Sequence, residues 1–208
     1  MRLGKIPISP FVFLVLFFFT YLYVFGIIEL VNISILSGVF FMAKLYIKAQ
    51  DLEEYDSVKV FNERGKEVYY TKDDFIATGH RIKVYLADTI SECAYVQEKY
   101  VRDEVRFEFA ARDKFGTIWR DFRSRMQRYN VDFDEDWEVE GDAFSWNYVV
   151  HSGSIEAMKV RSMPYLIPGQ ALNMCDTYIL DIDSDSDVLI GLAFALALYA
   201  LNKYGNMY

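Results

Sequence analysis

The sequence predicts a mainly β protein: a closed antiparallel barrel of roughly twelve strands around a central hydrophobic C-terminal helix, preceded by an N-terminal hydrophobic helix. Three observations carry this. First, Val188 to Leu201 contains no charged residue, and every face of a helix drawn through it is apolar. Leu, Ala and Phe dominate, and Val188 and Ile190, the β-branched residues of the run, sit in its first turn, so helix is favoured over strand. At about 1.5 Å per residue the run is roughly 21 Å long, short of a hydrocarbon core of about 30 Å. A short helix that is apolar all round is usually enclosed by protein. Second, short segments of alternating polarity recur every 8–12 residues or so before it, as in barrels and sandwiches. Third, the 208 residues include 17 Phe and 16 Tyr, and aromatics favour strands.

Taken in order, residues 1–41 form a hydrophobic segment apart from the rest. Positions 6–28 are uncharged, long enough to span a bilayer, with Arg2 and Lys5 before them. Three readings of this segment stand. It is a single-pass membrane anchor, an uncleaved signal-like anchor, or an extension from a misassigned start upstream of Met42. The expected localisation is cytoplasmic, or membrane-anchored if residues 1–41 are part of the working protein. Residues 42–208 read as one domain.

The strand signals follow one another closely. Lys44–Gln50 alternates Leu45, Ile47 and Ala49 against Lys44, Tyr46 and Lys48. Ser57–Glu63 and Glu67–Thr71 flank a turn ending in Gly65, where a positive φ is cheap. Arg81–Ala87 and Cys93–Tyr100 flank a polar turn. Glu104–Ala110 sets Val105, Phe107 and Phe109 against Glu104, Arg106 and Glu108. Thr117–Phe122, Tyr129–Phe133, Trp137–Gly141, Trp146–His151, Ile155–Ser162 and Thr177–Ile182 continue the rhythm, and a helix follows over 185–203. Alternation marks one dry and one wet face. Closure removes exposed edges, and a barrel this wide needs a filler such as the apolar helix. Residues 163–173, with Pro164, Pro168 and Gly169 around Tyr165, read as a loop, the least regular part of the body.

Several stretches together carry a resemblance. These are MAKLYIKAQ at 42–50, VKVFNERGKEVYYTK at 58–72, HRIKVYLAD with CAYVQEKY over 80–100, WEVEGDAFSWNYVV at 137–150, and TYILDIDSDSDVLIGLAFALALYAL at 177–201. In this order they resemble the LURP-one-related family, whose bacterial members are the YxjI-like proteins. The wider group is the tubby C-terminal-like superfamily, which includes the phospholipid scramblases. The resemblance covers 42–208 and implies a closed twelve-stranded barrel around a hydrophobic C-terminal helix.

It also suggests two sites. Scramblase-like Ca²⁺ binding points to Asp181, Asp183 and Asp185, since alternating carboxylates supply oxygen ligands. An EF-hand is excluded, because Ser186 and Leu192 stand where Gly and Glu would be needed. The plainer reading is that Asp183, Ser184 or Asp185 caps the helix and the other acids complement its dipole. Tubby-like lipid recognition points to Arg120, Arg123, Arg125 and Arg128, within a run of basic residues from Arg102. Acids interleave there, so cross-strand ion pairs are the plainer reading.

The net charge of −8 argues against nucleic-acid binding. His80 and His151 sit in no nucleophile or metal motif, and no nucleophile elbow or phosphate loop is present. Asp136, Glu138 and Glu140 share a strand face, where solvation is commoner than acid–base work. Cys93 and Cys175 read as buried free thiols. The expected role is therefore non-enzymatic binding without a cofactor, of anionic lipid or a protein partner, with membrane contact through 6–28. A tethered scramblase-like lipid-handling protein and a hydrolase of a small substrate are the alternatives.

Overall fold

The computed structural model describes residues 43–54, 57–102, 104–121, 128–170, 174–183 and 188–205. The expected N-terminal hydrophobic helix, and membrane contact through 6–28, lie outside them. Among the described residues no helix is long and apolar enough to cross a membrane.

The elements are β1 (Ala43–Lys48), α1 (Ala49–Glu54), β2 (Ser57–Asn62), β3 (Glu67–Ile76), β4 (Gly79–Leu86), β5 (Glu92–Val101), β6 (Glu104–Ala111), β7 (Lys114–Asp121), β8 (Arg128–Asp132), β9 (Trp137–Asp142), β10 (Asn147–Ser152), β11 (Ile155–Tyr165), β12 (Cys175–Ile182) and α2 (Val188–Tyr204). Each strand pairs antiparallel with its sequence neighbour, and β12 returns to β1 in register from Ala43↔Ile182 to Lys48↔Thr177. The exception is β8 beside β9, joined through 133–136, which are the two edges of the twelve-stranded sheet. The result is the expected mainly β barrel, nearly closed.

α2 is the interior. Leu189 to Leu198, Ala200 and Leu201 are all buried. They meet Phe107, Phe109, Ile118, Leu180, Ile182 and other inward residues of the strands in one core. Phe194 lies edge-on to Phe109 and Trp137, with ring centroids 5.2 and 5.0 Å apart. A Cβ on Gly191 would come within 3.1 Å of the Ile182 side chain, so this residue lets the helix close on β12. Burial of side chains this size contributes about 1.5–3 kcal/mol each.

The elements differ from the sequence reading in three places. The first strand stops at Lys48, because Ala49, Gln50, Leu52 and the two Glu are good helix formers and α1 buries Ala49 and Leu52. Trp146, expected in a strand, ends the β9–β10 turn with φ +56°. The expected loop at 163–173 begins later, because β11 runs through Pro164 to Tyr165, paired with β12 alone. There one edge of β11 is free of β10, where a missing N–H is tolerated. Ile167 from the following turn joins Tyr46, Phe61 and Ile179 in a small outer cluster, and Tyr165 stacks on Tyr46 at 5.1 Å.

Leu196 tests the interior position of α2. Leu196→Asp is expected to abolish folding, since an unpaired buried charge is very costly. Leu196→Ala is expected to cost about 2–5 kcal/mol in urea denaturation. A soluble, folded Leu196→Asp would contradict the enclosed helix.

Candidate functional site

Alternating strand direction gathers α1 and the β3–β4, β5–β6 and β9–β10 connections at one end of the barrel. The C-terminal turn of α2 emerges there, and it is the one part of the helix that carries polar groups: Tyr199, Asn202, Lys203 and Tyr204. Asn202 and Tyr204 find partners on the barrel wall, Tyr199 on α1, and Lys203 on Tyr199.

Tyr204 donates to Asp73 Oδ2 at 2.9 Å, and its ring stacks on His80 with centroids 3.6 Å apart. His80 Nδ1 lies 3.4 Å from Asp73 Oδ1. Behind it, Glu98 is fully buried and accepts from the His80 backbone N–H and the Tyr100 hydroxyl, both at 2.8 Å. Gly79 makes room for that carboxylate: its φ is +104°, and a Cβ there would stand 2.4 Å from Glu98 Oε2. Tyr199 donates to the Leu52 carbonyl at 2.7 Å and ties α1 over the mouth. Lys203 Nζ donates to the Tyr199 oxygen at 2.7 Å. Burial raises the Tyr199 phenol above its ordinary range.

Asn202 is the centre of a second group. Its Oδ1 accepts from Arg120 Nη2 at 2.7 Å and from the Tyr129 hydroxyl at 2.9 Å. Arg120 has no acceptor of its own to offer, so the amide orientation is fixed and Nδ2 is the outward donor. That Nδ2, and the hydroxyl of Tyr148, have no hydrogen-bond partner among the described residues. Both are covered. Burial raises the Tyr148 phenol strongly.

The β9–β10 turn completes this side. Asp142 Oδ1 accepts from the Phe144 and Ser145 N–H groups at 3.0 and 3.3 Å, and Ser145 Oγ donates to Oδ2 at 2.7 Å. These bonds hold the Asp142 carboxyl below its ordinary value of 3.8. Past the turn, Trp146 takes a left-handed backbone, uncommon for a bulky residue and costing about 1–3 kcal/mol. Its ring stacks on Tyr178 at 4.1 Å and 7° and lies 5.9 Å from Tyr199. Burial first, then Glu53 and Tyr199, pushes the Tyr178 phenol up to about 12.

Two cavities open between these groups. One of about 70 Å³ lies between α1 and β2–β4, lined by Leu52, Glu53, Thr71, Asp73, Leu196 and Tyr204 among others. The other, about 190 Å³, is lined by Glu53, Phe144, Trp146, Tyr178, Tyr199 and Asn202, with Ala143 and Lys203 at its edge.

Of the residues the sequence singles out, Arg120 belongs to this end, but its guanidinium is bonded to Asn202 and sits over the Phe144 ring at 4.8 Å. Arg128 begins β8, paired with Asp121. Arg123 and Arg125 lie outside the described residues. Asp181 is elsewhere, on the outer face near the other end, where Arg161 and Lys44 engage its buried carboxylate at 2.5 and 3.6 Å. The Asp183 N–H donates to the Ala157 carbonyl, and Ser184 and Asp185 lie outside the described residues. Among the described residues no three His, Cys, Asp or Glu side chains gather as a metal would need. Glu138 and Glu140 are exposed on β9, with Glu140 3.4 Å from His151 Nε2. Cys93 and Cys175 are free and half-buried, and burial raises the Cys93 thiol.

A family model described as LURP-one-related matches residues 43–199. The X-ray structure of a protein from Arabidopsis thaliana is similar over 77% of this chain and 89% of its own, at 11% identity and a TM-score of 0.46. No curated protein matches.

Two outcomes check this geometry. Tyr148→Phe removes a buried donor without a partner and is expected to raise stability by about 1 kcal/mol in urea denaturation. A loss of that size would mean the hydroxyl is bonded. The lowered Asp142 carboxyl stabilises the folded state fully above its unfolded value of 3.8, and that stability is lost as pH falls through its folded value. Asp142→Asn is therefore expected to be less stable than the parent at pH 6, with the gap closing as pH drops below 3.8. A pH-independent gap would contradict the charged turn.

Proposed function

This chain belongs to the LURP-one-related family, and we propose that it is a non-enzymatic binding domain whose recognition face is the barrel end around the C-terminal turn of α2. The observation that carries the reading is the pair of donors without partners, Asn202 Nδ2 and the Tyr148 hydroxyl, buried at an end that also holds two cavities. Buried donors are nearly always bonded, so each such group calls for an explanation. An acceptor brought by a ligand is one. Wall aromatics with a few placed polar groups are the usual make-up of a ligand pocket. An NMR screen of a chemically mixed fragment library against the full chain tests this. Hits are expected to shift residues 142–147 and 199–204. Hits confined to 63–66, 112–113 and 153–154 at the opposite end would contradict it, as would none at all.

A membrane surface is the second reading, favoured by a specific feature of the same end. Phe75 (71% exposed), Tyr100 (53%) and Phe144 (41%) stand on its hairpin tips, with Ile76 and Val101 beside them. The β7–β8 segment adds Arg123, Arg125 and Arg128 in sequence, fitting an anionic lipid. In vesicle flotation, the chain with Phe75, Tyr100 and Phe144 all changed to Ser is expected to lose most of its binding to phosphatidylserine vesicles. Unchanged flotation would remove this reading.

A further inference from the structure

The larger cavity of the recognition face also restricts what it can hold. We infer that it takes a small monocarboxylate with one aromatic ring as its body, an inference that rests on the binding-domain reading above. About 190 Å³ compares with an apolar cavity of about 150 Å³ that admits a benzene ring, so one ring with one small polar group is the right scale.

The body of the ligand is set by the walls. Phe144, Trp146, Tyr178 and Tyr199 present ring surface, and the strained backbone of Trp146 holds the widest of them in place. Its polar group is set by charge. A cluster of aromatic faces ordinarily invites a cation. Here the protein's own cations already lie over them: Lys203 Nζ is 5.2 Å from the Tyr199 ring centre and Arg120 is 4.8 Å from that of Phe144. A cationic ligand would meet the Lys203 ammonium and find these ring faces already taken. Asn202, on the cavity wall, has Oδ1 taken by Arg120 and Tyr129, and both N–H bonds of Nδ2 lack an acceptor. Lys203 lines the cavity with an ammonium that, among the described residues, donates to the neutral Tyr199 oxygen alone.

An amide donor and one ammonium match the two oxygens and single charge of a carboxylate. They are too few for a phosphate dianion, and Glu53, the one acid on the lining, further disfavours a second negative charge. Nδ2 is covered as the cavity stands, so the carboxylate reaches it with a shift of the side chains at the mouth, of which Phe144 is exposed.

The test is a titration of the full chain with phenylacetate, 2-phenylacetamide and phenethylamine at constant ionic strength. The indole resonance of Trp146 and the side-chain amide of Asn202 are followed by NMR. Phenylacetate is expected to shift both and to bind at least tenfold more tightly than the neutral and cationic analogues. Lys203→Gln alters an exposed side chain and keeps the fold. It is expected to bring phenylacetate down to the affinity of the amide while leaving the amide unchanged. Equal binding of acid and amide, tighter binding of the amine, or an unchanged preference in Lys203→Gln would overturn the inference and leave the binding face standing. No shift at Trp146 or Asn202 with any of the three would overturn the inference, and an empty fragment screen would remove the reading beneath it.

Discussion

A helix that is apolar on every face has two stable surroundings, a bilayer or a protein interior. α2 is in the second, and the remaining architecture follows from enclosing it. A sheet must curl far enough to cover all sides, which needs many strands, and the curl must return the last strand to the first. The β1–β12 ladder is where that happens. Gly191 and the alanines at 193, 195, 197 and 200 keep the helix narrow, while Phe107, Phe109 and Phe194 fill the space between it and the wall. Closure stops short only between β8 and β9, where Phe133 and Trp137 pack at 4.6 Å and stack the seam with rings instead of a ladder.

An enclosed helix still has to end. Its last turn leaves carbonyls without intrahelical partners and brings Asn202, Lys203 and Tyr204 to the mouth. Polar groups at the edge of an apolar interior must be met, and the wall meets them with Asp73, His80, Arg120 and Tyr129. The same requirement makes this end chemically rich. It concentrates donors, carboxylates and rings around two cavities, with α1 laid over the top by the Tyr199–Leu52 bond. The site is in this sense a by-product of terminating a buried helix.

The barrel was legible because both of its signals are local. Period-two alternation along each strand and an uncharged helix can be read from short windows. The site was mostly not legible, because its contacts span the chain: Tyr204 reaches Asp73 across 131 positions, and Asn202 reaches Arg120 across 82. Some of it could have been read more closely. Glu98 shares strand parity with Ala94 and Val96, and Arg120 shares it with Ile118, so both point inward, although for Arg120 the interleaved acids suggested cross-strand ion pairs. An Asn-Lys-Tyr ending on an otherwise apolar helix was a further sign. Trp146 offered none, since a strand-favouring residue gives no hint of a left-handed backbone. Asp181 misleads in the opposite way: its neighbours in sequence suggest a cluster, while the β1 and β11 ladders supply Lys44 and Arg161.

The central claim is that α2 is the interior on which the strands depend, and native-state hydrogen exchange tests it most directly. The amides of Leu192 to Leu201 should exchange only through global unfolding, with the same free energy and denaturant dependence as those of Phe107 and Phe109 on β6. Exchange of α2 through a smaller opening, with β6 still fully protected, would mean that the barrel stands without its helix, and would contradict the account.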